Sequence, residues 1–580
     1  MDALLLMLVV FIGYIIAYNV YGKYVGYKIF ELATGKPVPS KVYEDGIDFV
    51  PTKKEIIFGH HYTSIAGTGP IVGPAIAVIW GWLPAILWVF FGSILMGAVH
   101  DFGALIISMR NKGKSISEFA GKYISKRTKY LFFAIVFLEL WIVIAIFGLV
   151  IAIIFNMFPQ SVFPVWMEIP IAMTLGYLVY KKGKSVGILS IIALILMYIT
   201  IIIGVYMPFK LGSVAGIPAT GVWTIILLIY AFIASVLPVT MLLQPRDYIN
   251  SHELLVAIAL LIFGIVASAF TGKLSIVAPT YQAHPPQAPP LWPFLFITIA
   301  CGAISGFHSL VSSGTSSKQV ADEPDALFVG FGSMLMEGVL ATLVIIAVVA
   351  GIGMGYFHNG KLLTGHAAWL THYSSWTAAK GLGSKLSAFI NGSANMIESL
   401  GIPVSWAIAI MGVFVASFAG TTLDTATRIQ RYVVSEIFSD MGLTVFKNRY
   451  VATLFAVLSA AFLAFATGAS GKGALTLWPL FGAVNQTLAG LALIVITIYL
   501  RYKGGLKWIV AGIPAVFMIA VTLWASILNE INFIHKGNYL LIVVNTVILI
   551  IVLTIIFEGV KTFFSIKEGT PEPIDEEAKA

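Results

Sequence analysis

Two glutamates lie deep inside long apolar runs of the sequence. Glu139 stands nine residues into the run 130–156, and Glu337 stands eleven residues into the run 326–356. At a helical rise of about 1.5 Å per residue these depths are about 14 Å and about 16 Å, close to the middle of a lipid bilayer. An apolar surrounding disfavours a charged carboxylate, so either glutamate suits a group that binds and releases a proton.

Glu337 is the stronger candidate for ion coupling. Small residues share its predicted helical face, namely Gly330, Ser333 and Ala341. Such a face favours close packing, so we expect Glu337 to point into a helix bundle, whereas bulky apolar residues flank Glu139. For each glutamate the alternative is a structural carboxyl bonded to a neighbouring helix.

Three further ionisable residues, Asp101, His308 and Asp424, lie within about 10 Å of one predicted membrane surface. Four threonines surround Asp424, and Arg428 follows it at i+4. This spacing favours a structural ion pair on one helix, while the threonine hydroxyls fit an ion-binding or gating role equally well. We therefore keep Asp101 and Asp424 with the two glutamates as candidate ion-coupling residues.

The segment 58–74 combines two histidines with glycines and prolines inside an apolar run. Glycine and proline here remove backbone hydrogen bonds and predict a broken membrane helix. A broken helix is tolerated where its freed backbone lines a cavity, which is where carriers bind substrates. A proline-kinked packing helix with interfacial histidines is the alternative. The predicted substrate contacts in this segment are His60, His61, Gly67, Thr68 and Gly69.

A second interruption is predicted at Pro238, near the end of the run 221–243. Counted from 58–80, this run is the sixth, an offset of five helices, so the chain enters the membrane at the two breaks in opposite directions. This is the arrangement of two inverted five-helix repeats with a substrate site at their interface. We count Pro238 as a candidate substrate contact, and we interpret the nearby Arg246 and Asp247 as either functional or a solvated loop pair.

A third polar segment, 301–317, is rich in small residues and hydroxyls. Small residues permit close helix packing, and hydroxyls can satisfy an unwound backbone or bind ions. Ser305 and His308 are the candidate substrate contacts here, with close packing alone as the alternative. Cys301 is the only cysteine, so it forms no internal disulfide, and thiols indicate no metal site.

The elements that carry these residues are membrane helices. Of the 580 residues 59% are hydrophobic and 11% charged, which excludes an ordinary soluble interior. The net charge of +8 comes from short basic clusters between apolar runs, typical of topology signals, so we expect no nucleic-acid partner. The sequence contains no Walker A pattern, no His-Glu-x-x-His and no Gly-x-Ser-x-Gly. We therefore predict no cofactor and disfavour both an ATP-driven pump and an enzyme using His60, His61 and Asp101.

The sequence predicts an all-α integral membrane protein with about fifteen transmembrane helices. The apolar runs lie near 2–20, 58–80, 82–107, 130–156, 168–180, 186–206, 221–243, 253–271, 292–311, 326–356, 403–427, 451–468, 475–500, 508–527 and 539–563. The run 168–180 is short and could instead be re-entrant. With the amino terminus outside, the cytoplasmic segments hold 28 Lys and Arg residues and the outer segments hold 7. This bias places the carboxy terminus in the cytoplasm.

The predicted organisation follows from these runs and breaks. It comprises an amino-terminal helix at 1–20, a cytoplasmic loop at 21–57, a first five-helix repeat at 58–206, a second, inverted repeat at 221–434, carboxy-terminal helices at 449–564 and a cytoplasmic tail at 565–580.

Several strings resemble the carbon starvation protein A family of bacterial transporters. They occur in family order and reach from about residue 45 to residue 500. The matching strings are Gly-His-His at 59–61, Ala-Gly-Thr-Gly-Pro-Ile-Val-Gly-Pro at 66–74, Leu-Gln-Pro-Arg-Asp-Tyr at 243–248, Ser-Gly-Phe-His at 305–308, Thr-Thr-Leu-Asp-Thr-Ala-Thr-Arg at 421–428, Leu-Trp-Pro-Leu-Phe-Gly at 477–482 and Asn-Gln at 485–486.

The resemblance implies proton-driven uptake of pyruvate or short peptides across the cytoplasmic membrane under nutrient limitation. It also implies kinship with amino-acid transporters built from inverted five-helix repeats. The expected partners are therefore a monocarboxylate or peptide, a proton or sodium ion, and the lipid bilayer. A sodium-coupled carrier, a nutrient sensor and a membrane enzyme are the alternatives, and the oligomeric state is open.

Overall fold

The computed structural model describes residues 2–567 and 570–573. These residues are mostly helical, as the apolar runs predict. The α-helices are α1 Asp2–Ala17, α2 Pro39–Val42, α3 Lys54–Ala66, α4 Gly69–Ala77, α5 Trp82–Gly92, α6 Ala98–Arg110, α7 Ile116–Tyr123, α8 Lys126–Met157, α9 Val162–Gly176, α10 Val186–Tyr206, α11 Ala219–Val236, α12 Leu243–Phe270, α13 Leu291–Thr298, α14 Gly306–Gly314, α15 Ser333–Val349, α16 Gly365–Tyr373, α17 Trp376–Ala379, α18 Leu382–Glu398, α19 Val404–Asp440, α20 Arg449–Phe465, α21 Trp478–Tyr502, α22 Ile509–His535 and α23 Tyr539–Ser565.

Short π and 3₁₀ turns extend several of these helices. The π turns are Tyr18–Gly22, Val25–Ile29, Ser93–Gly97, Tyr177–Lys181 and Leu327–Gly332, and the 3₁₀ turns are Val78–Trp80, Pro159–Ser161, Ser316–Lys318, Gly351–Met354, Thr444–Lys447 and Gly473–Thr476. The strands found in the described residues are β1 Tyr356–His358 and β2 Lys361–Leu363, an antiparallel pair in which Phe357 faces Leu362.

Twelve helices of the described residues are long and apolar enough to cross a bilayer, and a thirteenth span is a bent pair. The predicted count of fifteen is not confirmed. The run at 451–468 is the shorter helix α20, and the run at 292–311 is divided between α13 and α14. The doubtful run at 168–180 belongs to Pro159–Lys181, whose 23 residues suffice to span. Of the predicted tail, 565–567 and 570–573 are described, and the rest lies outside the described residues.

The first predicted break is present. α3 ends at Ala66, α4 begins at Gly69, and the two halves are bent by 43°. Pro70 lies in the first turn of α4, where its missing N–H would have no helical partner in any case. The sequence signal and the observed break therefore have the same physical cause.

The second break is not at Pro238. α11 ends at Val236 and α12 begins at Leu243, so Pro238 lies in the connection between two separate spans. The prediction of a broken span there was wrong because proline ends a helix as readily as it breaks one. The second break is instead at 299–305, between α13 and α14, where Gly302 has a φ of +92° that suits glycine.

The two broken segments begin on opposite sides of the membrane when the spans between them are counted. Six spanning helices, from Trp82–Arg110 to Leu243–Phe270, lie between them. Because six is even, α13 begins on the side of the membrane opposite to the side where α3 begins. The two breaks are thus inverted relative to one another, as predicted, although the second break lies between α13 and α14 and not at Pro238. Which helices belong to each five-helix repeat stays a prediction.

Burial separates the central helices from the peripheral ones. The spans Leu327–Met354 and Trp478–Tyr502 are predominantly apolar and almost wholly buried by protein, whereas α10 and α23 are mostly exposed. A predominantly apolar helix is suited both to the middle of the bundle and to a position that faces lipid, so hydropathy alone does not distinguish the two positions. The central helices α15 and α21 each carry a polar side chain that contacts the second break, Glu337 and Asn485.

Candidate functional site

A cavity of about 830 Å³ lies between the two broken helices. Gly67, Thr68 and Gly69 of the first break line it, and so do Cys301 and Ser305 of the second. Four predicted substrate contacts, the three residues of the first break and Ser305, are therefore brought together. The other four do not line the cavity, namely His60, His61, Pro238 and His308.

The two histidines of α3 are buried and bonded to neighbouring elements. His60 Nδ1 lies 2.5 Å from Asp247 Oδ2, and its Nε2 lies 3.2 Å from Thr315 Oγ1. His61 Nδ1 lies 2.8 Å from Ser316 Oγ. Neither imidazole is exposed at the protein surface. They fix the first half of the broken helix against α12 and against the residues that follow α14.

Three predicted residues from three helices form a buried cluster. His308 Nδ1 lies 2.9 Å from Asp101 Oδ2, and His308 Nε2 lies 3.3 Å from Glu337 Oε2. Asp101 Oδ1 also lies 2.7 Å from His100 Nδ1. All four side chains are fully buried. Two carboxyl groups that share one imidazole titrate as a unit, so the cluster can hold a proton in more than one place.

Glu337 connects this cluster to the second break. The backbone N–H of Gly302 donates a hydrogen bond to Glu337 Oε1 at 3.1 Å. Gly302 lies between Cys301 and Ser305, which both line the cavity. A change in the charge of Glu337 therefore acts on the same segment that forms one wall of the cavity. The prediction that Glu337 points into the bundle is confirmed.

Asn485 of α21 holds the second break in place. Its Oδ1 accepts a hydrogen bond from the backbone N–H of Phe307 at 2.9 Å and lies 3.2 Å from Ser305 Oγ. These contacts satisfy donors at the start of α14 that have no helical partner. Asn485 lines the cavity, and the only sequence signal for it was its place in a matching string.

Cys301, His308 and Glu337 could also hold a metal ion. One donor atom from each lies within 4.8 Å of the other two. A thiolate, an imidazole and a carboxylate are ligands that Zn²⁺ and related transition metals accept. The sequence did not predict this group of donors. His308 and Glu337 lie on two different helices, α14 and α15, so no local spacing connects them with Cys301.

Asp424 pairs with a distant arginine, which corrects the predicted i,i+4 pair. Arg246 Nη1 donates a hydrogen bond to Asp424 Oδ2, and the Tyr230 hydroxyl donates to the same oxygen at 2.7 Å. Arg246 Nε also donates to Glu168 Oε1 at 2.9 Å. Arg246 and Asp247 are buried rather than a solvated loop pair, because α12 begins before them.

Arg428 instead pairs with the loop residue Asp48, at 2.8 Å. Burial opposes the charge of Asp48, but the guanidinium groups of Arg431 and Arg428 outweigh it and hold the pKa of Asp48 well below its usual value. This pair ties the loop before α3 to the end of α19.

Glu139 stands apart from these groups. It is fully buried, and neither carboxylate oxygen has a hydrogen-bond partner among the described residues. It does not line the cavity. The sequence pattern did not single out Glu168 and Glu253, two further buried glutamates. Each is the first residue of a predicted apolar run, 168–180 or 253–271, and so was not counted as lying inside a span.

The close contact between the two breaks gives a first prediction. A Cβ on Gly69 would lie 2.5 Å from Cys301 Cβ and closer still to its sulfur. We expect Gly69→Ala to push the breaks apart and to lower solute uptake about tenfold or more, since overpacking costs about 1–3 kcal/mol. In the matched variant Gly148→Ala the new Cβ would lie 3.7 Å from Thr224, an ordinary contact, and uptake should be unchanged. Equal uptake in both variants would contradict the close fit.

The geometry defines a class of protein. A multi-pass helical bundle with a cavity between two broken segments that begin on opposite sides of the membrane, and with a buried titratable cluster against one break, has the architecture of a membrane solute carrier. Residues 2–525 match the family described as carbon starvation protein CstA. The chain belongs to this family.

Curated relatives agree with this assignment. The Peptide transporter CstA of Helicobacter pylori is 34% identical over 560 residues, which cover 89% of this chain and 80% of the relative. The Peptide transporter CstA of Campylobacter jejuni is 34% identical over 573 residues, covering 90% and 80%. The Pyruvate/proton symporter BtsT of Escherichia coli is 30% identical over 664 residues, covering 96% and 90%. These relatives are transporters, and this chain is a transporter rather than an enzyme.

Two solved structures are similar over most of the chain. The Eremococcus coleocola manganese transporter in complex with an aromatic bis-isothiourea substituted compound has a TM-score of 0.46 and 14% identity, covering 90% of this chain and 98% of its own. MhsT in complex with L-phenylalanine has a TM-score of 0.43 and 12% identity, covering 88% and 98%.

Proposed function

We propose that this chain is a secondary active transporter that imports pyruvate or short peptides together with protons across the cytoplasmic membrane. Its amino terminus lies outside and its carboxy terminus in the cytoplasm, in accordance with the bias of Lys and Arg along the chain. The observation that carries the proposal is the buried cluster of Asp101, His308 and Glu337 against the second break.

Coupling follows from what one proton changes in this cluster. A charged Glu337 attracts the imidazole of His308 and accepts strongly from the Gly302 N–H, because hydrogen bonds to charged groups are stronger than neutral ones. A protonated Glu337 loses most of this attraction. The backbone of the second break then favours a different position, and one wall of the cavity moves with it. Proton binding and substrate binding would thereby bias the same two-state element.

The cluster also connects three spans. Asp101 lies on α6, His308 on α14 and Glu337 on α15. A relative shift of these helices would alter the distances within the cluster, so the affinity for a proton would differ between the two faces of the transport cycle. Such a difference is required for a proton gradient to drive accumulation.

Sodium coupling is the second candidate, and a group of hydroxyls beside the first break favours it. Ser64 Oγ lies 3.0 Å from Thr425 Oγ1, and Thr422 Oγ1 donates to the Ser64 carbonyl oxygen at 3.3 Å. Hydroxyl and carbonyl oxygens suit a hard monovalent cation better than the thiol and imidazole near Glu337 do. The sodium site would then lie between α3 and α19.

Uptake into proteoliposomes tests the proposal. We expect labelled pyruvate or a labelled dipeptide to accumulate when the outside is acidic, and a protonophore to abolish the accumulation, because the proton gradient is the driving force. Accumulation driven by an inward sodium gradient at equal pH would replace the proton by sodium. If neither solute showed saturable uptake under either gradient, that result would contradict a carrier function.

A further inference from the structure

The charges that line the cavity are all positive. Its ionisable lining residues include three lysines, Lys380, Lys385 and Lys536, and no aspartate or glutamate. Lysines in a cleft with apolar walls raise the local concentration of anions. The cavity is therefore suited to a negatively charged solute.

Lys385 differs from the other two lysines in its burial. It lies on α18, which is not one of the membrane-spanning helices, and only 7% of its surface is exposed, whereas Lys380 and Lys536 are exposed. Within the described residues no carboxylate and no hydrogen-bond acceptor contacts its ammonium group. Burial lowers the pKa of Lys385 to about 8, so the ammonium form still predominates at neutral pH.

An unpartnered buried charge is costly, and proteins normally pair it. Arg246, for example, is buried and bonds to Glu168 and Asp424. Lys385 is the exception among the cavity residues, and the cavity is the space from which a partner would come. An anion that enters the cavity from solution would supply this partner.

We propose that Lys385 binds the carboxylate of the transported solute, and that the cavity is built for a monocarboxylate such as pyruvate rather than for a zwitterionic peptide. This assignment rests on the proposed carrier function and names the substrate class of the same site.

The distribution of acids supports the monocarboxylate. A peptide also carries an ammonium group, which requires an acidic partner when it is desolvated. Glu337 and Asp101 pair with His308 and do not line the cavity. The remaining lining is largely apolar, with Ile65, Val143 and Phe147 among it, and suits a small uncharged remainder.

The position of α18 gives the ion pair a role in transport. α18 packs against α4, the second half of the first broken helix, and against α15 and α19. A carboxylate held between Lys385 and the breaks would therefore join α18 to the segments of the two breaks that line the cavity.

Binding of labelled pyruvate to the purified protein tests the assignment. We expect Lys385→Met to weaken binding by about tenfold or more, because a hydrogen bond to a charged group contributes about 1.5–3 kcal/mol. The matched variant Lys361→Met removes an exposed charge that does not line the cavity and should change affinity by less than about threefold. Methionine is unbranched and leaves no partner unpaired, so the fold should be kept, and Lys385→Arg should retain most of the binding.

Pyruvamide, the neutral amide of pyruvate, supplies the second readout. It should compete poorly with labelled pyruvate in the wild type, because Lys385 selects for the charge, and the preference should shrink in Lys385→Met. Unchanged pyruvate binding in Lys385→Met would overturn the assignment of Lys385, and tighter binding of a dipeptide than of pyruvate would overturn the substrate class. Proton-driven uptake that persists in Lys385→Met would overturn this inference while the proposed function stood. A wild type that neither binds nor transports either solute would overturn both.

Discussion

Replacing Glu337 by glutamine is expected to abolish accumulation of substrate driven by a proton gradient. The amide keeps an oxygen that can accept from the Gly302 N–H, so the second break retains its hydrogen bond. It cannot bind or release a proton, and the charge-dependent attraction to His308 is lost. We expect accumulation to fall to the level of protein-free liposomes, while exchange of labelled for unlabelled substrate at equal pH persists. Uptake and exchange assays on the same preparation measure both.

Glu139→Gln is the matched control for this prediction. Glu139 is also a fully buried glutamate in a spanning helix, but it lies outside the cluster and does not line the cavity. Uptake should remain close to that of the wild type. If Glu139→Gln abolished accumulation and Glu337→Gln preserved it, coupling would reside in α8 and the cluster would be structural.

The orientation of Glu337 was predictable, and its partners were not. Gly330, Ser333 and Ala341 lie on its helical face, and a face of small residues indicates close packing. Asp101 lies more than two hundred residues from Glu337 along the chain, and His308 lies nearly thirty residues from it. Both are on other helices. Local sequence patterns do not determine which helices pack against one another, so the cluster could be identified only from the three-dimensional structure.

The two breaks differ in how well the sequence identifies them. The first contains both glycine and proline within one apolar run, and the helix is broken there as predicted. At Pro238 a proline is also present, but it lies in the connection after one span, α11, ends and before the next, α12, begins. The second break, at 299–305, contains no proline, and it depends on the left-handed conformation of Gly302 and on the Asn485 side chain. Small polar residues predicted close packing there, but not which residue ends the helix.

The partner of Asp424 shows why local spacing misled. An i,i+4 ion pair on a helix surface stabilises by only about 0.2–0.5 kcal/mol. In the buried bundle Arg428 bonds to Asp48 and to the backbone carbonyl of Leu237, and Asp424 bonds to Arg246 and Tyr230. Desolvated charges require fully bonded partners, so the long-range pairs outweigh the local one.

Arg246 offers the largest expected effect on stability. Its guanidinium group bonds to Glu168 and Asp424, and all three side chains are buried. Removing one partner of a buried ion pair leaves the other uncompensated and costs about 3–5 kcal/mol. We therefore expect Arg246→Met to lower the thermal unfolding temperature sharply and to reduce the yield of monodisperse protein in detergent. Thermal unfolding and size-exclusion profiles of the purified variants measure this.

Two further variants separate loss of the ion pair from loss of packing. Arg127→Met removes an arginine that is 70% exposed and 3.8 Å from Glu558, and it should leave the unfolding temperature nearly unchanged because exposed pairs contribute about 0–1 kcal/mol. The triple variant Arg246→Met, Glu168→Gln and Asp424→Asn neutralises both carboxylates and should recover part of the lost stability. If Arg246→Met unfolded at the wild-type temperature, the buried pair would not stabilise the bundle. If the triple variant were no more stable than Arg246→Met, the effect would come from the packing of the arginine side chain, since neutral amides leave no charge uncompensated.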